Sequence, residues 1–290
     1  MKKILFPTDF SKIAENAFIY ALRLANRIQG EIILLHVYDQ PDLRGSSLRV
    51  TVQGIFEERK REEKEAFDKS IEILNEIAKK DGKEHIPISK LLIQGEIVPT
   101  VKRVAEGEKA DFVVMGTKGA TGLKELFLGS NATGVMDILD IPVISIPEEA
   151  TLLDKIQKIV FTTNYTEEDT LALDEVVYFA DAFKAEVHCI HFNTDKEEYH
   201  VSDMNNIWKD EYYTDFANVS FKTVDTNNME EGLEKYCEKE NINIVAMLSH
   251  KKNIIEKIFS SSISKQMVNH TDVPIFSIPD SLIKKNAMKE

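Results

Sequence analysis

Phe112-Val113-Val114-Met115-Gly116 opens a stretch that passes through a polar loop bearing Gly119 and closes on Leu128-Gly129-Ser130-Asn131. A short, continuous apolar run bounded by turn residues is the pattern of a strand buried on both faces. Gly116 ends that strand, and Ser130 stands where a helix can begin. Small residues fall wherever a ligand would need to approach backbone. The stretch reads as strand, phosphate-cradling loop and helix N-terminus.

Working outward, the same alternation fills the first half of the chain. Ile4-Leu5-Phe6 is a buried strand ended by Pro7-Thr8-Asp9. Ser11 can cap a helix whose Ala14, Ala17, Ala21, Leu24, Ala25 and Ile28 recur at helical spacing, with Gly30 suited to its C′ position. Residues 32–37 form a second strand, residues 39–54 a loop, and a long helix follows with a solvated charge run from Glu57 to Glu65. Ser89–Ile93, with Gly95 beginning a turn, and Val143–Ile146 are further strands. Helices are expected around Val98–Ala105 and over 131–140. Five strands alternating with four helices imply an α/β domain with a doubly wound parallel sheet and helices on both faces.

The chain then repeats. Lys158-Ile159-Val160-Phe161-Thr162-Thr163-Asn164-Tyr165 copies residues 3–10 at an offset of 155, and His191 copies His36 at the same offset. Val273-Pro274-Ile275-Phe276-Ser277-Ile278-Pro279 copies residues 141–147 at an offset of 132, so the second copy lacks 23 residues of loop and charged helix. Two tandem domains follow, 1–149 and 155–280, with a polar tail, 281–290, expected to fray from Leu282.

A net charge of −13 disfavours nucleic acid and anionic membrane as partners. An anionic ligand must therefore be met by local backbone donors. The two cysteines, Cys189 and Cys237, make no disulfide framework and fit buried thiols in a reducing cytoplasm. No apolar run reaches the ~18 residues of a spanning helix.

In an open parallel sheet, ligands bind beyond the C-terminal strand ends where the winding reverses. If the first strand is central and the fourth lies beside it, Asp9 and Gly116 face one crevice. Gly116 and Gly119 let backbone N–H groups approach phosphate. Gly129, Ser130 and Asn131 open a helix whose dipole favours an anion. Asp9 accepts from ribose hydroxyls or an adenine amino group, and Val37 and Met115 can sandwich a purine. Pro7 and Thr8 complete the strand end. The same glycines also fit plain strand-to-loop turns, Ser130 a plain N-cap, and Lys118 and Lys124 solvated loop lysines. The pattern is neither a Walker A loop nor G-x-G-x-x-G.

Gly116-x2-Gly119-x9-Gly129-Ser130 resembles the nucleotide motif of the universal stress protein (UspA-like) family. Pro7-Thr8-Asp9-Phe10-Ser11, Leu35-His36-Val37 and Ile141-Pro142-Val143 are similar to its other landmarks, and the likeness covers both copies. The resemblance implies a sheet ordered 3-2-1-4-5, adenine-nucleotide (ATP or AMP) binding where the motif is kept, and pairing of domains through their last strands, as in a covalent version of the family dimer.

In the second copy the motif positions become Leu248, Lys251, Ser261 and Ser262, and Asp9 becomes Asn164. That copy is expected to bind adenine nucleotides poorly or not at all and to serve as a structural partner in an intramolecular pseudo-dimer. Ser260-Ser261-Ser262 retains a weak anion-site pattern. His188 and His191, three apart on a strand, face opposite sides and make a poor metal pair. Trp208, Tyr212 and Tyr213 read as core or a covering loop. No catalytic constellation is legible, and Mg²⁺ would ride on nucleotide phosphates. The reading is a regulatory nucleotide-binding protein of the cytoplasm, with a slow ATPase or phosphotransfer enzyme as the alternative and a homodimer as a further option.

Overall fold

The computed structural model describes residues 1–39, 49–117, 130–148, 150, 155–194, 218–249 and 273–287. The first half runs β1 (Lys3–Pro7), α1 (Lys12–Ile28), β2 (Glu31–Tyr38), α2 (Arg49–Lys80), β3 (Ile88–Gln94), α3 (Ile97–Glu108), β4 (Phe112–Gly116), α4 (Ser130–Ile138) and β5 (Val143–Ile146). The second half runs β6 (Lys158–Thr162), α5 (Glu167–Phe183), β7 (Glu186–Asn193), β8 (Val219–Asp225), α6 (Met229–Glu240), β9 (Ile244–Ser249), β10 (Ile275–Pro279) and α7 (Asp280–Ala287).

All ten strands join one sheet, ordered β3-β2-β1-β4-β5-β10-β9-β6-β7-β8. Each half therefore repeats the order 3-2-1-4-5. Pairing is parallel within each half. The halves meet through an antiparallel pair, β5 with β10, in the register Ile144 to Phe276. The strands are apolar on both faces because helices cover both. One face packs α1, α2, α5 and α7 over residues such as Phe6, Phe18, Phe112, Phe161 and Phe276. On the other, α3 and α4 cover Leu5, Val113 and Met115, while α6 covers Val160, Ile190 and Met247.

Four helices end alike. Gln29, Lys109, Lys184 and Asn241 each take a left-handed backbone, with φ between 52° and 57°. The next residue's N–H returns to a carbonyl five residues back, as from Gly30 to Ala25 and from Ala185 to Ala180. Gly30 is thus not the left-handed residue that its position suggested. Its missing side chain serves a close approach, since a Cβ there would lie 2.7 Å from the Lys2 carbonyl oxygen.

Two further expectations are corrected. The loop expected over 39–54 gives way to helix at Arg49, because the small residues on which that expectation rested, Gly45, Ser46 and Ser47, all precede Arg49, and Gly54 is a single glycine within a helix of 32 residues. The tail does not fray from Leu282. Residues 280–287 are helical, and Ile283 is buried in the core that α7 shares with α5. An i,i+4 pair between Lys284 and Asp280 at 3.0 Å adds local support.

Candidate functional site

β1 and β4 are neighbours in the sheet, so their C-terminal ends open side by side. A cleft of about 240 Å³ lies beyond them. Pro7, Thr8, Asp9, Val37, Met115, Gly116, Ser130 and Asn131, all expected from sequence, line it together. Gly119 and Gly129, with Lys118 and Lys124, lie outside the described residues. Gly95, Ile97, Asp39 and Thr117 also line the cleft and were not singled out as ligand residues. Gly95 carried a legible signal, a glycine placed just before a helix start.

The cleft floor is held by bonds that extend the strands. Thr8 N–H donates to the Leu35 carbonyl at 2.9 Å, Gly95 N–H to Tyr38 at 3.0 Å, and Thr117 N–H to Ile146 at 3.0 Å. Gly95 has φ 154°, a conformation that side chains disfavour. The turn after β1 is locked from within. Phe10 is left-handed, φ 59°, and its N–H donates to Thr8 Oγ1 at 3.0 Å. Asp9 Oδ1 accepts from Ser11 N–H at 3.0 Å, which orients an exposed carboxylate at the cleft mouth. Ser11 Oγ caps α1 by accepting from Ala14 N–H. His36 Nδ1–H donates to the Thr8 carbonyl at 2.7 Å, and its ring packs on Phe10.

Two helix N-termini reach this cleft. Ser130, Asn131 and Ala132 are the first turn of α4, and Ile97 begins α3. Glu96, at the N-cap of α3, makes no side-chain capping bond. The arrangement offers backbone donors with a positive dipole end, a carboxylate acceptor, and apolar walls from Val37 and Met115.

The second half builds the same frame and fills it. Tyr165 repeats Phe10 at φ 58°, and its N–H donates to Thr163 Oγ1 at 2.8 Å. His191 repeats His36, bonding the Thr163 carbonyl at 2.9 Å. At the position of Ala14 stands Asp169, which is buried. Its Oδ2 accepts from the Thr163 hydroxyl at 3.1 Å, Asn164 N–H at 2.9 Å and Thr166 N–H at 3.1 Å. That carboxylate collects donors of the turn that Ala14 has no side-chain acceptor to reach; in the first repeat the Ser11 N–H, counterpart of the Thr166 N–H, goes to Asp9 instead. Phe192 replaces Val37, Leu248 replaces Gly116, and Thr226 replaces Gly95. All three positions thus carry more bulk, and Phe192 and Leu248 are buried. Asn228 caps α6 by accepting from Glu231 N–H.

His188 and His191 separate as their spacing requires. Lys222 donates to the Tyr236 oxygen at 3.1 Å, which leaves the Tyr236 hydroxyl to donate to His188 Nδ1 at 2.9 Å. Burial, with Lys222 and Lys158 nearby, lowers the His188 pKa from its usual 6.5. No cluster of three metal-ligating side chains occurs among the described residues. Leu248 is the penultimate residue of β9, whereas Lys251, His250, Ser260–Ser262 and His270 lie outside the described residues, as do Trp208, Tyr212 and Tyr213. No described helix is long and apolar enough to cross a membrane.

The model of the universal stress protein family matches residues 1–147 and again 155–279. The chain belongs to the universal stress protein family. Universal stress protein MJ0577 of Methanocaldococcus jannaschii is 32% identical over 150 residues, covering 49% of this chain and 93% of the relative. MJ0531 of the same organism is 32% identical over 143 residues, covering 49% of this chain and 80% of its own length. A universal stress protein from Archaeoglobus fulgidus shares the whole tandem fold. It aligns over 96% of both chains with a TM-score of 0.69 at 20% identity. The two Methanocaldococcus jannaschii relatives therefore each match about half of the chain, whereas the Archaeoglobus fulgidus fold matches nearly all of it.

Proposed function

We propose that the first repeat binds an adenine nucleotide, ATP or AMP, and that the protein is regulatory rather than catalytic. The observation that carries this reading is the convergence in one cleft of Asp9, Val37, Met115, Gly116 and the N-terminus of α4. These groups match the parts of a nucleotide. Asp9 accepts from ribose or the adenine amino group, Val37 and Met115 flank the base, and the α4 N–H groups with Ser130 meet phosphate. Gly119 and Gly129 are proposed to extend that phosphate cradle, and Mg²⁺ to enter with the phosphates. The second repeat, with Asp169, Phe192 and Leu248 in place of Ala14, Val37 and Gly116, is proposed to be empty of nucleotide and to complete an intramolecular pseudo-dimer. Cys189 and Cys237, both buried and unpaired, fit a reducing compartment such as the cytoplasm.

The test is thermal unfolding with and without ATP. Binding to the folded state alone stabilises by about 2.7 kcal/mol at a hundredfold excess over Kd. A rise in Tm that disappears in Gly116→Leu supports the reading, and an unchanged Tm contradicts it. Product formation by the purified chain over hours, abolished by the same substitution, would instead make the cleft a slow ATPase.

A further inference from the structure

A second cavity, of about 210 Å³, lies where the two repeats meet and shares no lining residue with the cleft. Its apolar wall comes from both repeats, with Leu24 on α1, Val114 on β4, Ile144 on β5, Phe179 on α5 and Ile244 on β9. Its polar wall is Tyr20, Arg23 and Arg27 on α1, and Asp81 and Lys83 just after α2.

The charges at this wall do not balance. Arg23 grips the Asp81 carboxylate with two bonds, 2.8 and 3.3 Å. Lys83 donates to the Asp81 carbonyl oxygen at 2.9 Å and stands 3.9 Å from the same carboxylate. Arg27 has no ion-pair partner among the described residues. Arg23, Arg27 and Lys83 thus line the cavity beside a single lining carboxylate, Asp81, a basic spot in a chain of net charge −13. The side chains of Arg23 and Lys83 are only 20% and 23% exposed, so solvent screens them less than it would on an open surface. The cations and Asp81, with Asn26 and Tyr20, make the polar part of the lining, and the remaining residues are hydrocarbon and aromatic.

We propose that this cavity binds a small amphipathic anion, a carboxylate carried on an apolar body. The carboxylate pairs with Arg27 and Lys83, and the body lies against Leu24, Phe179 and Ile244. Neither repeat alone supplies the whole lining, so the site exists only in the tandem arrangement. Helix α1 touches both sites. Ala14 lines the cleft and Arg27 the second cavity, roughly 20 Å apart along the helix axis.

The experiment is calorimetric titration of the full chain with octanoate, below its micelle concentration, and in parallel with 1-octanol. The expected result is one octanoate per chain, at least tenfold weaker binding of octanol, and at least tenfold weaker octanoate binding by Arg27→Glu. Arg27 is exposed, so that variant keeps the fold, and its ATP titration should match the wild type. Methyl NMR should show octanoate shifting Leu24, Ile144 and Ile244 but not Val37 or Met115. Absent octanoate binding, equal affinity for octanol, an unaltered Arg27→Glu, or shifts confined to Val37 and Met115 would each overturn the proposal.

Discussion

A methyl group at Gly30 would sit 2.7 Å from the Lys2 carbonyl oxygen, whereas one at Gly54 would meet nothing within 4 Å. The same substitution should therefore have opposite signs. Gly30→Ala should lose about 1–3 kcal/mol through overpacking against backbone, and Gly54→Ala should gain about 0.5–1 kcal/mol by restricting an exposed helical glycine. Urea unfolding of both variants measures this directly. Sequence placed Gly30 at a helix end but assigned it the wrong reason, because a close contact with Lys2 depends on strand pairing that periodicity cannot see. Gly116 was legible with its neighbours. An apolar run ending on glycine reads as a strand end wherever it occurs, and its substitution in the second repeat by Leu248 marks the position as one where bulk matters.

The contrast between α1 and α5 is carried by their first turns. Thr166 and Asp169 form a capping box, and the Asp169 carboxylate also holds Thr163 and Asn164. Asp169→Ala should cost about 2–4 kcal/mol, since it removes a cap and leaves buried donors without partners; denaturant titration gives the value. The reverse change, Ala14→Asp, should place a carboxylate among the donors of the first turn and weaken ATP binding at least tenfold by calorimetry. The capping-box spacing Thr166-x-x-Asp169 was present in the sequence, but only the folded turn shows what else that carboxylate collects. On β7, His188 gives a pH signature. Its pKa is lowered by burial, so below about 6.5 the unfolded chain takes up a proton that the folded chain resists. Stability is complete above that value and falls as pH drops beneath it. His188→Gln should flatten the dependence between pH 7.5 and 5.5 in urea titrations.

At the scale of the molecule, two copies of one α/β unit share a ten-stranded sheet through the β5–β10 pair. The order 3-2-1-4-5 in each half was expected from the resemblance of the motifs to the family rather than from periodicity, which fixes alternation but not neighbours. The offset between copies exposed the repeat at once, whereas the cavity between α1 and α5 needed both halves in place, because no single segment contains its charges and its apolar wall. The two copies have diverged in what their strand ends hold. One keeps a cleft bordered by Ala14, Val37, Gly95 and Gly116, and the other presents Asp169, Phe192, Thr226 and Leu248. The direct test of that asymmetry is the stoichiometry of ATP bound by the full chain in an equilibrium calorimetric titration. The proposed function predicts one nucleotide per chain, lost in Gly116→Leu and retained in Leu248→Gly. Two equivalent sites per chain, or none, would contradict it.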